Sequence, residues 1–279
     1  FRSRAIADRI TVIRRGAVVG EASPTATNAE LAALMVGRPV ELTVHKEPAQ
    51  PGPDALVVRD MRVTDDAGHS HLDGISFSIA RGEVLGVAGV QGNGQTELTE
   101  AIMGLQAHVH GSIRLGEHEL VGRSVRKILD AGVGFIPEDR QVDGLVPNFT
   151  IAENLMLNRS FKSPFVRNGA LKIGALRAFA EKKLKEYDVR ARDIDSLAGN
   201  LSGGNQQKVV VARELSRDLR LLVAAQPTRG VDVGSIEFIH KQIVATRDSG
   251  IPVLVVSTEL DEVVALADRI MVLYRGQVV

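Results

Sequence analysis

An apolar strand, a glycine-rich loop and a helix are predicted to follow one another directly near residue 90. Val84–Ala88 contains only apolar and small residues, and three glycines lie within the next eight residues, Gly89–Thr96. A helix is then predicted over Glu97–Met103, ending near Gly104. Because the first N–H groups of such a helix can bind an anion, this order is typical of a phosphate-binding loop. A glycine turn between a strand and a helix can also be purely structural.

The order of predicted elements after residue 54 indicates an α/β fold. Short strands come first, a helix-rich stretch follows, and the last third alternates helix and strand. The predicted strands are 56–63, 75–80, 83–88, 112–115, 133–136, 221–225 and 253–257, and the predicted helices are 152–158, 175–187, 205 onward, 235–247 and 259 onward. The closing alternation predicts a parallel sheet covered by helices.

A second glycine motif lies in Leu201–Lys208, which reads Leu-Ser-Gly-Gly-Asn-Gln-Gln-Lys. A serine and two glycines precede a helix predicted to open at Asn205, which predicts an anion site at its N-terminus. Ser-Gly-Gly alone is also compatible with a plain N-cap and a flexible turn. The full run resembles the signature sequence of ATP-binding cassette (ABC) ATPases, in the form typical of bacterial carbohydrate and nucleoside importers. This resemblance implies a P-loop cassette with a mostly parallel core sheet, an antiparallel β-subdomain and a helical subdomain at about 148–200.

Several catalytic positions depart from the ABC pattern. Gly89–Thr96 resembles the Walker A loop, but Gln95 stands where that motif has lysine. Ala225 and Gln226 stand where the family has an aspartate that orders magnesium and a glutamate that polarises water, and Thr258 replaces the switch histidine. A hydrogen bond to a charged group is worth roughly 1.5–3 kcal/mol, so loss of the lysine predicts roughly 10- to 150-fold weaker phosphate binding. We expect this loop to retain some nucleotide binding even though hydrolysis is reduced or lost.

The resemblance also implies which residues contact a nucleotide. Glu138 falls at the glutamine position of the Q-loop, and Asp232 lies in a stretch similar to the D-loop of sugar-type cassettes. Thr96 is the candidate magnesium ligand. The implied nucleotide-binding positions are Gly89, Gly92, Asn93, Gly94, Gln95, Thr96, Glu138, Ser202, Gly203, Gly204, Gln206 and Asp232.

A long-range repeat predicts more than one domain. Residues 5–19 recur at 265–279 with ten of fifteen identical, at an offset of 260. A repeat with so long a period indicates tandem domains rather than a solenoid. The spacing of Leu31, Leu34 and Met35 predicts a helix over Asn28–Val36. Three prolines and a glycine in Lys46–Pro53 predict a linker. We therefore expect residues 1–53 to be the C-terminal remnant of a preceding cassette plus a Pro-rich linker, and residues 54–279 to be an ABC nucleotide-binding domain.

The composition argues against several other classes of protein. The chain carries 34 basic and 34 acidic residues and no long run of either sign, which argues against a nucleic-acid surface. It contains no cysteine, which excludes disulfides and thiol catalysis. Its longest apolar runs are strand-sized, far short of the roughly 20 residues that span a bilayer. By its resemblance to ABC importers, the chain is expected at the cytoplasmic face of the cell membrane.

The resemblance implies an ATP-binding subunit that energises import of a nucleoside, with a simple sugar as the alternative. The chain would be the second, degenerate cassette of a tandem protein, and its Ser202, Gly203 and Gly204 would close over ATP and Mg²⁺ held mainly by the preceding cassette. Permease subunits and an extracytoplasmic substrate-binding protein are the other expected partners. The isolated chain is expected to have little or no ATPase activity. Two alternatives stay open: a regulatory or dimerisation cassette without nucleotide turnover, and an ABC ATPase of DNA maintenance.

Overall fold

The computed structural model of the chain describes residues 6–14, 16–41 and 43–279. The remaining residues, among them two positions of the predicted repeat, lie outside the described part. The first described unit is a hairpin followed by a helix: β1 (Ile10–Arg14) pairs antiparallel with β2 (Ala17–Ala22), and α1 (Asn28–Val36) follows. The helix begins at Asn28, as predicted, because Thr27 caps its N-terminus in a capping box.

An antiparallel sheet opens the region that was predicted to be the cassette. Its strands are β3 (Asp54–Thr64), β4 (Ser70–Ala80), β6 (His108–Leu115) and β7 (His118–Glu119), in the order β4-β3-β6-β7. The structure extends the predicted strands over polar residues at the start of β4 and β6. Pairing with β3 explains this, because backbone hydrogen bonds across the sheet do not require apolar side chains.

The core sheet has six strands in the order β14-β13-β5-β12-β11-β8. They are β5 (Val84–Ala88), β8 (Val133–Ile136), β11 (Leu221–Ala225), β12 (Val253–Ser257), β13 (Arg269–Tyr274) and β14 (Gln277–Val278). All neighbours are parallel except the final pair, β13 and β14. The sheet separates two buried apolar clusters, and successive residues of β5, Val84 and Leu85, belong to opposite clusters. The predicted α/β architecture with a mostly parallel core sheet is confirmed.

Helices pack on both faces of this sheet and form much of the region between β8 and β11. They are α2 (Gln95–Met103), α3 (Val125–Asp130), α4 (Ile151–Met156), α5 (Ile173–Glu186), α6 (Gly203–Leu215), α7 (Val233–Asp248) and α8 (Leu260–Leu266). The short strands β9 (Val166–Arg167) and β10 (Ala170–Leu171) form a hairpin before α5. The prediction that α6 opens at Asn205 was wrong. Ser202 is the extended N-cap, so the two signature glycines form the first turn, where their N–H groups need no partner four residues back.

The Asp268 carboxylate holds the extended segment between α1 and β3. Asp268 Oδ1 accepts hydrogen bonds from Lys46 Nζ and Arg247 Nη1, both at 2.9 Å, and its Oδ2 accepts the Val84 N–H at 2.9 Å. Arg247 Nη2 also donates to the Glu47 carbonyl at 2.9 Å. The predicted linker therefore lies against the α/β region and is held there by charged groups.

This carboxylate is expected to make stability sensitive to acid. Burial alone would raise the pKa of Asp268, but hydrogen bonds from Lys46 and Val84 lower it below its ordinary value. Its contribution is therefore complete above the unfolded pKa of about 3.9 and is lost as pH falls through the lower folded pKa. Asp268→Asn should flatten the loss of unfolding free energy below about pH 4, measured by urea denaturation across a pH series. Parallel curves for the variant and the parent would contradict this.

Candidate functional site

The predicted phosphate loop lies at the carboxyl end of β5, where α2 begins. Gly89 follows the strand, and Gly94 is the N-cap of α2. Gly92 and Gly94 have φ values of +87° and +107°, a left-handed region that other residues rarely adopt. A Cβ atom on Gly94 would also collide with the Leu72 side chain. The loop backbone therefore requires glycine at these positions.

Gln95 is the first residue of α2, and its side chain folds back into the loop. Only 6% of the residue is exposed. Its Oε1 accepts the Asn93 N–H at 3.0 Å, and its Nε2 donates to the Val90 carbonyl at 2.9 Å. A lysine ammonium carries donors only and could not accept the Asn93 N–H. The glutamine thus makes a contact within the loop that the lysine of the family motif cannot make.

Glu138 connects the loop to the segment after β11. Its Oε2 accepts from Thr96 Oγ1 at 3.3 Å, and its Oε1 accepts from Gln91 Nε2 at 3.3 Å. Arg229 Nη1 donates to the same Oε1 at 2.5 Å. The Arg229 carbonyl in turn accepts from Arg140 Nη1 at 2.7 Å. The Q-loop position and the candidate magnesium ligand are therefore brought together, with a guanidinium group beside them.

Sequence reasoning assigned no role to Arg229 or Arg140. Arg140 lies two residues after Glu138 and Arg229 three residues after Gln226, but no sequence spacing connects positions that are 91 residues apart, such as Arg229 and Glu138. Only the packing of loops at one edge of the sheet brings these side chains together.

Gln226, directly after β11, lies beside Thr258, the residue predicted at the switch position. Gln226 Oε1 accepts from the Thr258 N–H at 3.2 Å and from Thr258 Oγ1 at 3.3 Å. Gln226 has φ +47°, unusual for a residue other than glycine, and its own N–H donates to the Val256 carbonyl at 2.7 Å. Ala225 is buried at the end of the strand. Neither Ala225 nor Gln226 offers an anionic metal ligand or a carboxylate base.

A cavity of about 470 Å³ extends from Gln226 and Arg229 toward α7 and α8. The buried Glu262 carboxylate in its wall accepts from Thr228 Oγ1 at 2.6 Å and pairs with His240 Nε2 at 3.0 Å. Burial raises the pKa of Glu262, but the hydrogen bonds from His240 and Thr228 outweigh this and lower it overall. This carboxylate is therefore ionised and engaged with protein groups.

The signature residues lie at the start of α6. Ser202 is exposed, and its hydroxyl accepts only from Asn205 Nδ2, at 2.9 Å, among the hydrogen bonds described for that side chain. A Cβ atom on Gly203 would lie 2.6 Å from Arg140 Nη2. A Cβ atom on Gly204 would collide with the side chains of Asp232 and Ser235. Close packing against the predicted D-loop segment therefore favours glycine most strongly at position 204, whereas at position 203 the end of the Arg140 side chain could shift.

Two other predicted nucleotide contacts have structural partners. Asp232 caps α7: its Oδ1 accepts the Ser235 N–H at 3.0 Å. Gln206 is buried, and its Nε2 donates to the Ala198 carbonyl at 3.3 Å while its Oε1 accepts from Arg140 at 3.4 Å. Their predicted role toward a nucleotide stays a prediction, and Gln206 would have to exchange these bonds to perform it.

A cavity of about 690 Å³ separates Ser202 from the N-terminal unit. Its lining includes Arg14 and Arg38 from that unit and Arg190 and Lys208 from the cassette. Lys208 is paired with Asp188, and Arg38 with Glu237. Gln91 of the phosphate loop lines the other cavity, at Gln226, so the loop and the signature face different spaces within this chain.

The α/β architecture and the two glycine motifs define a nucleotide-binding cassette. Residues 72–229 match the family model described as "ABC transporter". The chain belongs to the ABC transporter family, whose members bind ATP with magnesium.

Curated relatives are ATP-binding proteins of import systems. The nucleoside import ATP-binding protein NupA of Lactococcus lactis is 45% identical over 99% of this chain and 54% of its own length. The guanosine import ATP-binding protein NupO of Bacillus subtilis is 44% identical over 98% of this chain and 54% of its own length. A glucose import ATP-binding protein of Haloferax volcanii is 44% identical over 99% of this chain and 50% of its own length. The chain thus spans about half the length of the curated relatives it matches.

Solved structures agree on the fold. A dimeric ATP-binding cassette in a post-hydrolysis state, bound to ADP and Pi, superposes with a TM-score of 0.69 at 24% identity, covering 80% of this chain and 96% of the other. A nucleotide-free cassette from an ABC transporter gives a TM-score of 0.66 at 23% identity, covering 81% and 90%. The predicted P-loop cassette fold is confirmed. Within the described part of the chain, no helix is long and apolar enough to cross a membrane.

The residues at this chain's own loop do not fit ATP with magnesium in the way the family motif binds it. The Asn93 N–H and the Thr96 hydroxyl are already engaged with Gln95 and Glu138. Ala225, the position at which the resemblance implies a magnesium-ordering aspartate, has no side-chain ligand atom. The described residues also contain no cluster of three acidic, histidine or cysteine side chains placed to hold a metal ion.

Proposed function

We propose that this chain acts as the second cassette of a tandem ATP-binding subunit and supplies its signature to a nucleotide held by the preceding cassette. One contrast carries the proposal: Ser202 is exposed at the N-terminus of a 13-residue helix, whereas the chain's own phosphate loop is filled by its own side chains. The helix dipole and the free N-terminal N–H groups of α6 favour a phosphate group.

The repeated hairpin supports a tandem arrangement. In β13, Leu273 is 1% exposed and Val272 is 41% exposed, so the face with Leu273 packs on the core. In β1 the pattern is reversed: Ile13, the counterpart of Leu273, is 67% exposed, and Val12 is 5% exposed beneath α1. The β1 face that would pack on a cassette core is therefore uncovered. A preceding cassette would bury it, and the relatives are about twice as long as this chain.

The N-terminal unit also lies near Ser202, where the proposal requires the preceding cassette. It forms one wall of the 690 Å³ cavity that Ser202 borders. Arg38 Nη1 bonds Glu237 Oε2 of α7 at 2.9 Å, which ties the end of α1 to the cassette. Residues 1–53 are proposed, from the repeat and the linker, to be the C-terminal end of a preceding cassette. That end would then lie beside the signature. This placement is consistent with a nucleotide shared between the two.

The functions named for the relatives favour import of a nucleoside, with a simple sugar as the alternative. The partners would be a permease in the membrane, contacted through the helical subdomain at about 148–200, and an extracytoplasmic substrate-binding protein. The chain would bind at the cytoplasmic face of the membrane. All three named relatives are import proteins, and none favours a role in DNA maintenance.

The purified chain alone is expected to show no steady-state ATP turnover above background. Its loop lacks the lysine and the carboxylates that stabilise phosphoryl transfer, and its signature has no partner nucleotide. Phosphate release measured with a coupled assay tests this. Turnover that disappears in Thr96→Ala or Gln226→Ala would overturn the proposal. If signature substitutions also leave the complete transporter unaffected, a regulatory cassette becomes the better description.

A further inference from the structure

The side chain of Gln95 occupies the concave side of the phosphate loop. Its Nε2 atom lies 2.5 Å from where a Cβ on Gly89 would be, so the amide packs directly on the loop backbone. Its two hydrogen bonds join opposite sides of the loop, the Asn93 N–H and the Val90 carbonyl. Asn93 Nδ2 adds a third bond to the same carbonyl at 2.7 Å. The amide therefore closes a ring of hydrogen bonds across the loop.

The Asn93 N–H donates along one direction, and Gln95 Oε1 takes that bond at 3.0 Å. A phosphate oxygen could accept the same proton only after the glutamine leaves. The outer side of Asn93 is also fixed, because its Oδ1 accepts the Arg275 N–H at 2.8 Å and its carbonyl accepts the Gly276 N–H at 3.0 Å. Those bonds hold the Asn93 side chain and the peptide that follows Asn93, so they restrict how far the loop around this N–H can move. Displacing the side chain of Gln95 is therefore the most direct way for a phosphate oxygen to reach the Asn93 N–H.

We propose that Gln95 is an internal ligand that occupies this loop in place of phosphate, so that its displacement limits nucleotide affinity. The inference rests on that part of the proposed function in which this loop binds nucleotide weakly. This explanation of weak binding differs from the loss of the lysine charge alone. A glutamine that merely failed to neutralise phosphate would leave the loop open. Here the side chain competes with the ligand. Removing it should therefore strengthen binding, although a polar group is lost.

The test is equilibrium binding of N-methylanthraniloyl-ADP to the whole chain in EDTA, followed by fluorescence anisotropy. Gln95→Ala is expected to bind about tenfold more tightly than the parent, which corresponds to about 1.4 kcal/mol. Gln95→Glu retains the acceptor and adds a negative charge, so it should bind more weakly than the parent. If Gln95 instead contacts the phosphate, the alanine variant will bind more weakly. Affinity equal to or below the parent's in Gln95→Ala overturns the inference.

Hydrogen exchange gives a readout that does not depend on nucleotide. The Asn93 amide should exchange faster in Gln95→Ala than in the parent, and unchanged protection would also overturn the inference. Gln106→Ala is the matched control: it removes a glutamine amide just beyond the other end of α2, where Nε2 bonds Glu100. Gln95→Ser replaces the alanine variant if thermal unfolding shows that alanine lowers stability. Because these readouts do not involve turnover or the signature, failure here leaves the role of Ser202 in trans untouched.

Discussion

Replacing Ser202 by aspartate is expected to lower ATP turnover of the complete transporter by about 10²–10³-fold, the loss typical of removing one donor to a transition-state anion. Aspartate and serine are comparably good N-caps, so α6 should keep its start at Gly203. The added carboxylate would stand where the proposal places a phosphate group of the partner's nucleotide. Repulsion between the two anions, rather than unfolding, is the expected cause of the loss.

The same transporter provides an internal comparison. Thr96→Val removes the candidate magnesium ligand of this chain's own loop, but the Thr96 hydroxyl already donates to Glu138 at 3.3 Å. Turnover should therefore change little in Thr96→Val. Phosphate release by the purified complete transporter measures both variants. A large loss with Thr96→Val and none with Ser202→Asp would reverse the assignment of the active site.

Ser124 offers a matched control for the added charge. It is the exposed N-cap of α3, with φ −66° and ψ 150°, close to the −61° and 154° of Ser202, and neither side chain makes a cap hydrogen bond. Ser124→Asp adds the same charge at an equivalent helix end. Equal losses in the two aspartate variants would show that the effect is not specific to the signature.

Arg247→Met is expected to lower the free energy of unfolding by about 3–5 kcal/mol, the range for removing one partner of a buried ion pair. Arg247 is 2% exposed. Its guanidinium donates to Asp248 Oδ1 at 2.8 Å, Asp268 Oδ1 at 2.9 Å and the Glu47 carbonyl at 2.9 Å. Methionine fills similar volume without any donor, so Asp268 would keep Lys46 as its only charged partner among these contacts. Urea denaturation of the whole chain measures the loss.

Arg177→Met is the control for that substitution. Arg177 makes two hydrogen bonds with Asp195, at 2.7 and 2.9 Å, but both side chains are about half exposed. An exposed ion pair contributes at most about 1 kcal/mol, so this variant should unfold near the parent midpoint. Equal destabilisation by the two substitutions would show that burial of Arg247 is not what makes its contacts matter. It would also remove the argument that the linker is fastened through this residue.

Local signals predicted several elements to the residue. The bounds of β8, β11 and β12 agree with the sequence because each is a short, mostly apolar run buried on both faces. The start of α1 agrees because its capping box is encoded within four residues. The polar starts of β4 and β6 were missed, since strand partners rather than apolar patterning hold them. The first turn of α6 was missed because glycines normally disfavour helix interiors.

The candidate site likewise has some features that local sequence determines and others that only tertiary packing determines. The sequence by itself determined the family resemblance, the two glycine motifs and the absence of the lysine and carboxylates, because these are properties of residue type and local spacing. Only the tertiary structure decided where Gln95 and Arg229 point. Whether an amide faces a ligand or its own backbone depends on loop dihedrals, and whether an arginine meets Glu138 depends on how distant segments pack. Hydrogen bonds act over about 3 Å, so no one-dimensional pattern can specify them.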